Sequence, residues 1–123
     1  MRGIAIGDSV VAMADLNGDG GWVARSGGEG GYALAREFLT VRKPESLSFL
    51  HGAALPMCFL SAFAGLSGTV RAGDTVYVPG GGGGVGHLAV QMAARVLRAG
   101  LVISSGSTPQ SIALARQFGA SRF

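Results

Sequence analysis

Residues 74–93 constrain this chain more than any other stretch. A short apolar run at residues 76–78 leads into five consecutive glycines, residues 80–84, and then into Val85, Gly86 and an apolar helical pattern. Counted from Gly81 the spacing is G-x-G-x-x-G, with Gly81, Gly83 and Gly86 at the fixed positions. Between a strand and a helix, such a turn suits the pyrophosphate of a dinucleotide. The first glycine makes the tight turn, the second lets the backbone approach the phosphates, and the third lets the helix pack close to the strand. Exposed N–H groups and the positive end of the helix then hold the anion. Five glycines in isolation would read as a flexible linker, so the flanking residues decide.

Downstream, Val85, Leu88, Ala89, Met92, Ala93, Val96 and Leu97 recur at helical spacing and predict one apolar face. Ala99 and Gly100 end that helix, and residues 101–104 read as a second strand. Strand, glycine turn, helix and strand make a βαβ unit, whose crossover is expected to be right-handed. Ser107, Thr108 and Pro109 supply a hydroxyl cap and a first-turn proline for a further helix. Ile112, Leu114, Ala115 and Phe118 supply its apolar contacts, and Gly119 its stop. A complete dinucleotide fold has strand order 3-2-1-4-5-6. Only strands 1 and 2 are clearly legible here.

An acidic residue about 20 positions past the glycines would bind the ribose hydroxyls and favour NAD. The second strand ends instead in Ser104 and Ser105, and no Asp or Glu follows Asp74. The same half carries Arg95, Arg98, Arg116 and Arg122. The expectation is therefore NADP(H) in preference to NAD(H), with Ser104 and Ser105 beside the 2′-phosphate. Ordinary turn serines with loose specificity are the competing reading.

These residues resemble the medium-chain dehydrogenase/reductase superfamily, in particular its zinc-free, quinone-oxidoreductase-like branch. The resemblance rests on Gly73-Asp74 with the strand after it, on Gly83-Gly84-Val85-Gly86-His87, and on residues 115–120, Ala-Arg-Gln-Phe-Gly-Ala. Upstream, Gly7-Asp8-Ser9-Val10 is similar to the family's G-D-x-V strand entry. Residues 38–49 are similar to its strand and P-x-x-L-S-F segment. Residues 53–56 match A-A-L-P, and residues 60–63 are similar to L-T-A-Y. The resemblance implies an α/β fold: a partial Rossmann unit (βαβα, parallel strands) at 51–123, preceded at 1–50 by the C-terminal part of a GroES-like β-rich domain. It implies cofactor contacts at Gly81, Gly83, Gly84, Val85 and Gly86. It also places Ser61 at the threonine of L-T-A-Y, near the nicotinamide, although a helical serine can equally bond back to its own backbone. A full member is more than twice this length, so the chain is expected to be a window across two domains. A second departure is the tandem glycine-aromatic step, Gly18 to Arg25 echoed by Gly28 to Arg36, which reads best as a glycine-rich surface loop.

Zinc is not expected. The chain has one cysteine and two well-separated histidines, against the clustered ligands a zinc site needs. Zinc-dependent relatives carry a ligand cysteine where Met57 stands. Cys58 is one residue off, a rotation of about 100° on a helix, and reads as a small buried hydrophobe. His87, in the first turn of the nucleotide helix, reads as solvent-facing, with a place lining the cofactor channel as the alternative, and His51, three after Ser48, as a surface residue. No catalytic constellation of Ser/His/Asp or Cys/His type is visible.

At 48% hydrophobic and 14% charged, the composition is that of a folded interior. The longest apolar stretch, residues 52–66, contains Pro56 and is shorter than the roughly 20 residues of a membrane helix. A single cysteine fits a reducing cytoplasm. The net charge of +3 comes from scattered arginines without an aromatic stripe, which argues against nucleic acid. The expected partner is a small-molecule substrate, a quinone, enone, aldehyde or alcohol, with self-association through exposed sheet edges. A non-catalytic nucleotide-binding module and an inactive truncated reading frame are the alternatives to an oxidoreductase.

Overall fold

The computed structural model describes residues 3–14 and 31–123. Most of the tandem glycine-aromatic step lies outside them. The chain divides into two compact units, residues 1–56 and 57–123.

In the first unit, β1 (Val10–Ala14) pairs antiparallel with β2 (Ala35–Arg42), Val10 opposite Arg42 and Ala12 opposite Thr40. Gly7 takes a left-handed φ of 95°, and Asp8 Oδ2 accepts from the Ala5 N–H at 2.6 Å, so the G-D step is a turn that feeds β1. The Asp8 carboxylate also meets Arg42 at 2.9 Å across the strand pair. Helix α1 (Phe49–Leu66) then begins. Ser48 caps it, its hydroxyl accepting from the His51 N–H at 3.1 Å, which satisfies one of the orphan amides of the first turn. Gly52 is buried where a Cβ would lie 3.1 Å from Val11 Cγ2. Pro56 sits inside the helix and has no N–H to give the preceding turn.

Among the described residues α1 is the one helix long and apolar enough to cross a membrane by length and composition. It has a mean hydropathy of 1.6, and 11% of it is buried.

The second unit holds the βαβα segment. Strand β3 (Thr75–Val78) runs parallel to β4 (Leu101–Ser104), Thr75 opposite Leu101 and Val78 opposite Ser104. Between them lies α2 (Gly86–Gln91), which continues as a π-helical turn, Met92–Val96. Helix α3 (Pro109–Phe118) follows β4. Its start is as the sequence predicts. Thr108 and Ser111 form a reciprocal capping box, Pro109 occupies the first turn, and Gly119 ends the helix at φ 124°. The core of this unit is made of Ala62, Val76, Val78, Ala89, Val90, Ala93, Val102, Ala115 and Ala120. Its many alanines allow helix and sheet backbones to approach closely.

The buried face keeps Ala89, Met92 and Ala93 of the predicted one but shifts at its ends: Gly86 and Val90 are buried with them, while Val85 is 41% exposed and Val96 71% exposed. Gly86 causes this. A Cβ there would fall 2.1 Å from the Gly80 carbonyl oxygen, so this residue must face the turn, and residues 89, 90 and 93 follow it inward at helical spacing. The π turn then adds a residue per turn and carries Val96 outward.

The edge of β4 is also different from expectation. Ser121 and Arg122 donate their amides to the Val102 carbonyl, and Arg122 accepts from the Ser104 N–H at 2.8 Å. Ile103 and Arg122 form a parallel bridge. Residues 121–122 therefore cover part of the edge of β4.

Candidate functional site

The glycine turn joins β3 to α2, and its five glycines have separate tasks. Gly80 carries the left-handed backbone, φ 63°, so the tight turn falls one residue before Gly81. Gly81 is buried, and a Cβ on it would lie 2.1 Å from Ser104 Oγ and 3.1 Å from Ala115 Cβ. On Gly82 a Cβ would strike the Ser111 backbone at 2.5 Å. These two glycines, with Gly86, let α3, β4 and α2 close around the turn. Gly83 and Gly84 are exposed. At Gly83, among the described residues, a Cβ would have one atom within 4 Å, the Gly80 oxygen, at 3.2 Å. At Gly84 the nearest is Cys58 Sγ, at 3.3 Å.

The turn is braced from within. The Gly83 N–H donates to the Gly80 carbonyl at 2.8 Å, and the Gly83 carbonyl accepts from the His87 N–H at 3.0 Å. His87 Nδ1 lies 2.8 Å from that same oxygen, which requires the proton on Nδ1. The ring is half-buried and sits 5.6 Å from that of Phe118. His87 is thus a clasp between α2, the turn and α3, not the solvent-facing residue predicted from sequence. Among the described residues, the N–H groups of Gly82, Gly84 and Val85 have no acceptor. Free amides beside the exposed, side-chain-free Gly83 and Gly84 fit an anionic group such as a pyrophosphate.

The predicted serines are placed differently from one another. Ser104 is buried, 1% exposed, because inward and outward residues alternate along β4 and the fourth position faces in. Its hydroxyl donates to the Val78 carbonyl at 2.8 Å and accepts from the Gly81 N–H at 3.1 Å. It lies buried beneath the turn. Ser105 is half-exposed, and its hydroxyl accepts from the Gly80 N–H at 3.2 Å, with the Tyr77 hydroxyl at 3.4 Å. Ser61, on α1, is exposed and donates to the Met57 carbonyl at 2.8 Å, the helical back-bond.

Two of the four arginines of this half have side-chain partners within the chain. Arg95 donates to the Gln117 carbonyl at 3.3 Å, and Arg116 stands 4.9 Å over the Phe123 ring. Among the described residues no three His, Cys, Asp or Glu side chains come together in a way that could hold a metal ion. Cys58 is half-buried beside the turn, and Met57 is 43% exposed. Sequence reasoning missed the bracing role of His87 and the orientation of Ser104. The signal for the first was the four-residue spacing of Gly83 and His87, and for the second the inward phase of Val102.

No protein-family model matches the chain. The human quinone oxidoreductase is 40% identical over 93 residues, covering 72% of this chain and 28% of that protein. The quinone oxidoreductase of Coxiella burnetii has the same fold over 99% of this chain and 36% of its own, with a TM-score of 0.79 and 31% identity. These relatives and structure neighbours are quinone oxidoreductases of the medium-chain dehydrogenase/reductase superfamily, and they match part of the chain. Another quinone oxidoreductase, from Thermus thermophilus and solved also with NADPH, matches 74% of this chain and 30% of its own, at a TM-score of 0.65 and 33% identity. The chain thus spans about a third or less of the relatives it matches.

Proposed function

We propose that the protein binds NADP(H) at the glycine turn and serves hydride transfer to or from a quinone, enone, aldehyde or alcohol. The observation that carries this reading is the side-chain-free face at Gly83 and Gly84, with the unpartnered amides of Gly82, Gly84 and Val85. Quinone oxidoreductases among the relatives, one of them solved with NADPH, support it. When bound, the nicotinamide supplies the hydride chemistry. The chain supplies amides for the phosphates, and the half-exposed Ser105 hydroxyl at the mouth of the turn. A small-molecule substrate and a cytoplasmic location go with the reading. So does α1 as a helix of the fold and not a membrane span, since the Coxiella structure matches 99% of the chain.

Preference for NADPH over NADH rests on the lack of a carboxylate after β4, which would repel a 2′-phosphate. Calorimetric titration with both cofactors is expected to give the tighter constant for NADPH. Equal affinities would remove the preference, and no binding of either would remove the function. Binding without turnover of any quinone or alcohol would favour a nucleotide-binding module.

We further propose that the chemistry is zinc-independent. Purified protein dialysed against a chelator is expected to hold no stoichiometric zinc by elemental analysis. One retained zinc per chain would contradict this.

A further inference from the structure

We propose that Ser104 is a positioning residue for the dinucleotide turn, acting through Gly81 and never touching the cofactor. This deepens the reading above and rests on it. Beside two half-buried apolar residues and buried Val102, an inward position at the end of β4 is one where an aliphatic side chain would serve stability. A hydroxyl there is costly unless it is hydrogen-bonded. In this chain it is bonded on both sides. It donates to the last carbonyl of β3, at Val78, and accepts from the first buried amide of the turn, at Gly81.

The geometry also explains the first glycine of the motif. Ser104 Oγ sits 2.1 Å from the point a Gly81 Cβ would occupy. Gly81 and Ser104 are therefore a matched pair, the missing side chain making room for the hydroxyl. The Gly81 N–H is held towards β4, shared with the Ser105 carbonyl at 3.1 Å. That fixes the direction in which residues 82–85 leave the strand. The amides offered to the phosphates belong to those residues. A preorganised turn loses less entropy when ligand binds than one that must be ordered.

Three variants of the 123-residue chain test this: Ser104→Ala, and the isosteric pair Ser104→Thr and Ser104→Val, which differ in the hydroxyl alone. Two readouts apply: amide hydrogen exchange, resolved by residue, and calorimetric titration with NADPH. Loss of one such hydrogen bond is expected to weaken NADPH binding about tenfold in the alanine and valine variants. Exchange at residues 81–85 should quicken by a similar factor while that of Val90 and Ala93 stays near wild type. The threonine variant should keep both properties within about threefold of wild type. A purely structural role would instead quicken exchange across β3, β4 and α2 together. That pattern, or equal behaviour of the threonine and valine variants, would overturn the proposal. If the wild-type chain binds no dinucleotide, the cofactor reading fails, and the exchange comparison still decides whether Ser104 sets the turn.

Discussion

Gly83→Val is expected to abolish dinucleotide binding while the chain keeps its fold. The substitution places a branched side chain on the exposed face that a pyrophosphate would approach. Among the described residues a new Cβ has one neighbour within 4 Å, the Gly80 oxygen at 3.2 Å, a tight contact eased by a shift of a few tenths of an ångström. Gly83 has no left-handed backbone, so no strain from φ is added. The Gly83 N–H is already given to the Gly80 carbonyl, so the role of this residue is the space it leaves open. The dissociation constant for NADPH should rise by about a hundredfold or more, equivalent to at least about 2.7 kcal/mol. Calorimetry measures the loss, and circular dichroism the retained fold. Wild-type affinity in this variant would remove the site assignment.

At Gly86 the same substitution should have the opposite consequence. A Cβ there would lie 2.1 Å from the Gly80 oxygen, 2.8 Å from its carbonyl carbon and 2.9 Å from Gly81 Cα. All three are backbone atoms of a turn pinned by Ser104, Ser105 and Gly83. None can swing aside as a flexible side chain would. Overpacking against a fixed backbone commonly costs about 1–3 kcal/mol, and occasionally more. Gly86→Val is expected at or above the top of that range. Urea unfolding of the variant beside wild type would show it as a lower midpoint at unchanged slope. A variant with wild-type stability would mean that α2 does not approach the turn as closely as described. Together the two substitutions separate a glycine kept open for a ligand from a glycine required by packing.

The sequence by itself determined the features that depend on a few neighbouring residues. Thr108, Pro109 and Gly119 set both ends of α3, because caps and left-handed stops are satisfied within one turn of chain. The run at 76–78, the five glycines and the strand at 101–104 fixed the order strand, turn, helix, strand, which the parallel pairing of β3 with β4 realises. The family was legible for the same reason, since its motifs are short and local. Only the tertiary structure decided which way side chains face. Periodicity gives a helix an apolar face to within about one residue, or 100°, and the contact between Gly86 and Gly80 then chose Val90 over Val85. A serine at a strand end reads equally as a ligand for a phosphate or as a brace. The alternation of β4 turned Ser104 inward beneath Gly81, while Ser105, one residue on, remained at the mouth of the turn. His87 reads as a surface residue until α3 brings Phe118 against its ring. Each of these depends on atoms many residues apart in the chain, whose approach is set by packing and not by any local preference.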